Sequence, residues 1–335
     1  MSTFHGYAAP AAGKPLEPFS FQARPLGPGD VEIAISHCGI CHSDLHLLND
    51  DWKMSQFPLV AGHEIIGTVA QVGSAVRGLT PGQRVGVGGQ CGSCGTCEWC
   101  ERGEENLCAQ LQPTCIPGPG GFADRIRVNA RFALPIPEAL PSRDAAPLLC
   151  AGITVYSPLR EAGIGAHSRV GIIGVGGLGH LAVQFARAMG AEVTAFSTSP
   201  DKETEARALG AHRFVAAREP SALAAVRGSF DFLLATVTAD LPWLDYVAAL
   251  RPRGTLCFVG MPPSPMMLPA LPLIFGNKKV TGSNTGSPGG IREMLEVAAR
   301  NGIRARTELF PLKDINTAIG RVARNEVRYR AVLEL

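Results

Sequence analysis

Residues 170–179 read VGIIGVGGLG. The first four form a short apolar run of strand character, and apolar residues recur at helical spacing from Gly179 to Met189. Between them stands Gly174-Val175-Gly176-Gly177-Leu178-Gly179, a G-x-G-x-x-G turn with a strand before it and a helix after it. Such glycines allow a tight turn, let main chain approach a pyrophosphate and let helix pack on strand. The phosphates would then meet free N–H groups at the helix N-terminus. A tight glycine turn without a ligand is the competing reading.

Around this turn the chain alternates strand and helix. Strands are expected at 192–196, 230–235 and 255–260, with a helix over 201–209. Repeated βα units imply a parallel, doubly wound sheet. After Gly289-Gly290 the pattern predicts a helix over 291–301, a strand over 305–310, a helix over about 314–324 and a last strand over 329–335. Before Cys150 the grammar differs. Residues 31–35 alternate apolar and polar like a half-buried strand, and 65–73 and 84–87 follow, punctuated by Gly and Pro. That part reads as an irregular β domain. A chain of 335 residues exceeds one ordinary core, so two domains are expected.

The end of the second strand of the βα region selects the nucleotide. An acidic residue there would bond the ribose 2′-OH of NAD. This chain has Phe196-Ser197-Thr198-Ser199-Pro200-Asp201-Lys202 instead. Ser197 takes the carboxylate's place, which lifts the repulsion against a 2′-phosphate. Ser197, Thr198, Ser199 and Lys202 can then bond that phosphate, and NADP is expected. The alternative is that Ser197 and Ser199 only cap the next helix.

The stretch 91–108, CGSCGTCEWCERGEENLC, holds five cysteines, one more than a closed tetrahedral zinc site needs. Spacing admits Cys94, Cys97, Cys100 and Cys108, and equally Cys91, Cys94, Cys97 and Cys108. A disulfide or reactive cluster is a third reading, disfavoured in a reducing compartment. A second, dispersed group comprises Cys41-His42-Ser43-Asp44-Leu45-His46, then His63-Glu64, then Cys150. Cys41, His63 and Cys150 would give two sulfurs and one nitrogen, a donor set of catalytic zinc with a fourth position open. Taken singly, Cys150 in its apolar run reads as core, and Cys38-x₂-Cys41 reads as a redox pair.

Net charge is +2 without a basic block, so neither nucleic acid nor an anionic membrane is expected as a partner. The arginines at 321, 324, 328 and 330 read mostly as a solvated face. No apolar run could span a bilayer, and the first residues lack a signal-peptide pattern, so a cytoplasmic protein is expected.

Taken together, CGICHSDLH, PLVAGHEIIGTVAQVG, the CxxCxxC-x₇-C lobe, PLLCAGITVYSPL, GIIGVGGLGHLAVQFARAMGAEVTAFSTS and VRYRAVLEL resemble the zinc-dependent medium-chain dehydrogenase/reductase superfamily. Within it they are similar to the cinnamyl alcohol dehydrogenase-type branch of NADP-dependent alcohol dehydrogenases. The resemblance implies an α/β protein with a GroES-like, β-rich catalytic domain over 1–150 and 287–335, carrying a zinc lobe at 91–108. A Rossmann, NADP-binding domain over 151–286 would complete it, with the active site in the cleft between the two. It implies a catalytic zinc on Cys41, His63 and Cys150 and a structural zinc on Cys94, Cys97, Cys100 and Cys108, leaving Cys91 spare. Glu64 resembles the glutamate that approaches the metal when ligands exchange. Asp44 resembles the carboxylate that orients the His63 ring. Ser43 and His46 resemble a proton relay, His42 and Arg330 match positions near the cofactor pyrophosphate, Thr154 matches one near the nicotinamide, and Val259 is counted with the cofactor-binding residues.

The implied reaction is hydride transfer between nicotinamide and a primary alcohol or aldehyde, aromatic or aliphatic, with zinc as Lewis acid. A polyol or secondary-alcohol dehydrogenase is the alternative, and a non-catalytic dinucleotide-binding protein a remoter one. Trp52, Phe57, Met261 and Asn284 are candidates for the pocket wall. The apolar run 268–275 and the strand 279–282 lie where relatives pair subunits, so a homodimer is expected. Residues 110–119 replace a longer loop that helps wall the cleft in relatives, and Cys91 and Cys115 are extra thiols.

Overall fold

The computed structural model describes residues 2–335. The backbone forms two compact units: Met1–Ile153 with Gly286–Leu335, and Thr154–Thr285. The strands before Ile153 are β1 (Thr3–Ala8), β2 (Glu17–Gln22), β3 (Asp30–Ile40), β4 (Glu64–Val72), β5 (Arg84–Val87), β6 (Gln90–Gly92), β7 (Gln112–Pro113), β8 (Arg125–Asn129) and β9 (Leu134–Pro135). The second unit holds β10 (Arg169–Ile173), β11 (Glu192–Ser197), β12 (Arg213–Ala216), β13 (Phe230–Ala235), β14 (Leu250–Phe258) and β15 (Lys279–Gly282). The chain then returns to the first unit with β16 (Thr307–Pro311) and β17 (Arg330–Glu334). No helix among the described residues is long and apolar enough to cross a membrane.

In the first unit β3 organises the sheet. Its first half pairs β8, its second half pairs β17, and β4 runs antiparallel along its other edge. The sheet order is β16-β17-β3-β4-β5-β9, with β8 joined to β3. The core behind it includes Val31, Ile33, Ile65, Val85 and Phe122. The antiparallel β1–β2 hairpin was not anticipated, because Gly and Pro interrupt its apolar pattern.

The alternation at 31–35 predicted one solvated face, but β3 is buried on both. Glu32 is 2% exposed. It stands opposite Arg127 in the β3–β8 register, and its two oxygens take Arg125 at 2.7 Å and Arg127 Nε at 2.8 Å. Cross-strand countercharges, not water, make the polar face tolerable.

The second unit is a six-stranded sheet in the order β12-β11-β10-β13-β14-β15, every pair parallel. That is the doubly wound order of a dinucleotide-binding domain. β14 starts five residues earlier than expected, behind Pro252 and Arg253, the latter at φ 67°. Such residues ordinarily mark a turn. The helix expected over 291–301 begins at Pro288, where the Ser287 side chain accepts the Gly290 N–H at 3.2 Å. The helix expected over 201–209 is a 3₁₀ turn, Pro200–Lys202, followed by Glu203–Ala208.

Replacing Glu32 with Ala leaves Arg127 buried without a countercharge. The expected loss is about 3 kcal/mol of stability, read as a lower denaturant midpoint at unchanged slope. A midpoint equal to the parent's would show that the pair contributes nothing net.

Candidate functional site

β3 ends at Ile40, and the next residue, Cys41, is the N-cap of the helix His42–Asn49. Asp44 stands at the third helical position, fully buried. Its Oδ2 accepts the Cys41 N–H at 2.9 Å. Its Oδ1 accepts the Gly62 N–H at 3.0 Å and His63 Nδ1 at 2.9 Å. A carboxylate only accepts, so the His63 proton sits on Nδ1 and Nε2 keeps a lone pair that can ligate a metal. Gly62 reverses the chain at φ 96°, and a Cβ there would lie 2.6 Å from the Phe122 ring. Only glycine brings His63 in at this angle.

His63 Nε2 lies 3.3 Å from Cys150 Sγ, and Cys150 Sγ lies 3.8 Å from Cys41 Sγ. A tetrahedron with metal–sulfur arms of about 2.3 Å has sulfur–sulfur edges of about 3.8 Å. The donors of Cys41, His63, Glu64 and Cys150 all lie within 4.8 Å of one another. Residues 109 positions apart in sequence thus meet at zinc-like separations, and the donor set fits the ion. The proton affinities interlock. A hydrogen bond from Cys150 holds the Cys41 thiol well below its ordinary value, and the same bond, with burial, pushes Cys150 well above. Burial works against a charged His63, but the Asp44 carboxylate and Cys150 outweigh it and raise the ring well above the usual value.

Glu64 opens β4 and is fully buried. Burial lifts its carboxyl to about 7, against the pull of Arg330. Arg330 of β17, expected near a pyrophosphate, is itself buried and forms an ion pair with Glu64 Oε1. A buried carboxylate beside thiolates needs such a countercharge. Glu64 Oε2 has no hydrogen-bond partner among the described residues. It packs against Gly39, where a Cβ would come within 1.9 Å of it.

Ser43 Oγ lies 3.8 Å from Cys41 Sγ. His46, one turn on, gives its Nδ1–H to Asp51 Oδ2 at 2.8 Å, and its ring centroid lies 5.1 Å from that of Trp52. Both partners are partly exposed, His46 34% and Asp51 47% at the side chain. Asp51 escaped the sequence reading, since one carboxylate five residues after a histidine carries no pattern. Cys115, noted in the sequence only as an extra thiol, donates to the Gly62 carbonyl at 3.3 Å and lies beside Asp44 and His63. His42 is exposed on the first turn of its helix.

In the lobe the sulfurs of Cys94, Cys97, Cys100 and Cys108 lie within 4.8 Å of one another. Cys94 Sγ is 3.8 Å from Cys100 Sγ and 3.6 Å from Cys108 Sγ. Of the two sets that spacing admitted, this one converges. Cys91 faces away, toward the carbonyls of Gln112 and Pro113.

In the second unit the glycine turn joins β10 to the helix Gly179–Ala188. Gly174 has φ 94°, and a Cβ on Gly179 would fall 1.8 Å from the Gly174 carbonyl oxygen. A Cβ on Gly176 would meet nothing within 4 Å, so open room lies over the turn where a phosphate could approach. Ser197, nearly buried at the end of β11, accepts the Ser199 N–H at 3.1 Å. Ser199 caps nothing with its side chain, and Thr198 is exposed. Lys202 Nζ donates to the Val175 carbonyl at 2.7 Å, which sets the ammonium against the glycine turn. Val259 N–H bonds the Ala235 carbonyl at 3.0 Å, just past the end of β14, and Thr154 is half-buried in the helix Ala151–Glu161.

Comparison with known proteins bears on the family and the fold. A family profile for the alcohol dehydrogenase GroES-like domain matches residues 27–138, and one for zinc-binding dehydrogenases matches 177–300. The chain is 42% identical over 327 residues to a Synechocystis protein named aldehyde reductase AdhA, covering 98% of this chain and 97% of that one. A solved cinnamyl alcohol dehydrogenase from Sorghum bicolor superposes with a TM-score of 0.95 at 41% identity, over 99% of this chain and 98% of that one. A Helicobacter pylori structure described as CAD complexed with NADP(H) gives 0.92 at 33% identity, over 99% and 98%.

Proposed function

The chain belongs to the zinc-dependent alcohol dehydrogenase family and is an oxidoreductase of that class; from that premise we propose that it reduces medium-sized apolar aldehydes, aromatic or aliphatic, with NADPH. The observation that carries this is the meeting of two thiols and one imidazole, with Glu64 beside them, at separations a zinc ion would require. We assign the catalytic ion to Cys41, His63 and Cys150 and a structural ion to Cys94, Cys97, Cys100 and Cys108. When bound, the first would act as a Lewis acid on the substrate oxygen, while the nicotinamide would give or take the hydride.

The chain's own residues do the rest. Asp44 fixes the His63 tautomer and ring orientation. Arg330 balances the negative charge that Glu64 and the thiolates gather. Ser43 stands beside a metal-donor sulfur, and its hydroxyl can exchange a proton with the substrate oxygen. His46 carries that proton to or from solvent. Asp51 holds the His46 proton on Nδ1, leaving Nε2 as the atom that accepts one. The Trp52 ring beside it, 40% exposed, offers an apolar surface to a substrate.

Preference for NADP over NAD rests on Ser197 in place of an acidic residue and on Lys202 at the glycine turn. A reducing, cytoplasmic location suits ten free cysteines. A homodimer is favoured by the helix Ala270–Gly276, where Leu271, Ile274 and Phe275 are 62%, 66% and 83% exposed next to the edge strand β15.

Five measurements test these assignments. The parent enzyme should favour NADPH over NADH by at least about tenfold in kcat/KM for aldehydes. Cys150→Ser should lose one of two zinc ions and nearly all turnover while still binding NADPH. Better use of NADH, polyols as preferred substrates, or an active Cys150→Ser would overturn the reading. His46→Gln should lower turnover about tenfold to a hundredfold near neutral pH, with the deficit shrinking as hydroxide takes over at high pH. Asp51→Asn should follow the same profile more weakly; a pH-independent loss would remove both from proton transfer. Phe275→Asp should sediment as a monomer if the apolar helix pairs subunits, and an unchanged assembly would place the interface elsewhere.

A further inference from the structure

Ligands of doubly wound sheets sit beyond the C-terminal ends of the strands, where the glycine turn lies here. The opposite end of the same sheet carries a cavity of about 470 Å³. Its lining includes Arg169, Glu192, Arg213 and Phe230, which open β10, β11, β12 and β13. The volume falls within the range of small-molecule sites.

Charge and burial around it are uneven. Arg169, Arg207 and Arg213 line the cavity against one carboxylate, Glu192. Glu192 approaches Arg213 at 3.4 Å, and Glu203 pairs with Arg207 at 2.8 Å. The Arg169 guanidinium has no ion pair or hydrogen bond among the described residues. The nearby Asp231 takes the Arg169 main-chain N–H at 2.9 Å and the Arg251 guanidinium at 2.8 Å, so it is already engaged.

Deeper in, Thr194 is 3% exposed and also lines the cavity. It shares a strand face with Phe196, whose ring packs edge-on against Phe230 at 5.4 Å. The Thr194 hydroxyl has no hydrogen-bond partner among the described residues. A hydroxyl that lines a cavity and bonds no protein group is met by whatever enters. Phe214, Val215, Val226 and Phe230 make the apolar part of the wall, and Ser229, whose hydroxyl bonds the Arg227 carbonyl at 3.4 Å, completes the lining.

We propose that this cavity is a second ligand site, for a carboxylate with an apolar, aryl-sized body. The guanidinium fork of Arg169 matches a planar carboxylate in two parallel bonds. The apolar wall takes the body, and the Thr194 hydroxyl supplies a polar contact at depth. A bare inorganic anion would satisfy the arginine but leave that wall wet.

The test is calorimetric titration of the full-length enzyme, loaded with zinc and NADP, using benzoate, its neutral isostere benzamide, and inorganic phosphate. Benzoate should bind saturably and benzamide should not. Arg169→Gln should weaken benzoate by about tenfold or more and leave kcat/KM for aldehydes unchanged. Thr194→Val, nearly isosteric, serves as a second probe and should also weaken binding at unchanged activity. Three results would each overturn the proposal. The first is absence of benzoate binding. The second is benzoate affinity unaltered in both variants, which would put benzoate at the catalytic centre. The third is phosphate binding as tightly as benzoate.

Discussion

One buried carboxylate holds the catalytic half of this molecule in register. Asp44 accepts from Cys41 N–H, Gly62 N–H and the His63 ring, so a helix start, a glycine reversal and a metal-type imidazole share one acceptor. The arrangement satisfies three donors in a dry interior with one carboxylate. Without it, Cys41 and His63 would have no common reference, although their strands β3 and β4 would still pair.

Much of this was legible in the chain because local chemistry and topology agree there. The G-x-G-x-x-G turn needs glycine for two separate steric reasons, visible at Gly174 and Gly179, and a motif with such reasons foretells its surroundings. The parallel sheet followed from the repeated βα units around it. The four lobe cysteines could be narrowed only to two sets by spacing, since x₂ steps place either set near one ion. Convergence of sulfurs is a property of the folded loop.

What stayed hidden depends on contacts across long separations. Glu32 read as a solvated residue, because nothing local announces that Arg125 and Arg127 will cover it nearly a hundred residues later. The Arg330 ion pair was equally hidden, since sequence cannot show that a buried Glu64 lies 266 residues away and meets its guanidinium. Asp51 was near in sequence yet silent. Its role comes from the way the chain turns after Asn49 to bring a carboxylate back onto His46.

Gly39 sits next to the last residue of β3 with its α-hydrogen turned toward the Glu64 carboxylate, and a methyl group there would overlap that carboxylate. The strand is therefore notched where the acidic side chain lies across it. Engineers who randomise residues around Cys41, His63 and Cys150 will find this position closed, because any side chain there meets Glu64. Library diversity belongs on the helix side of the centre, and a glycine codon at 39 should be kept fixed.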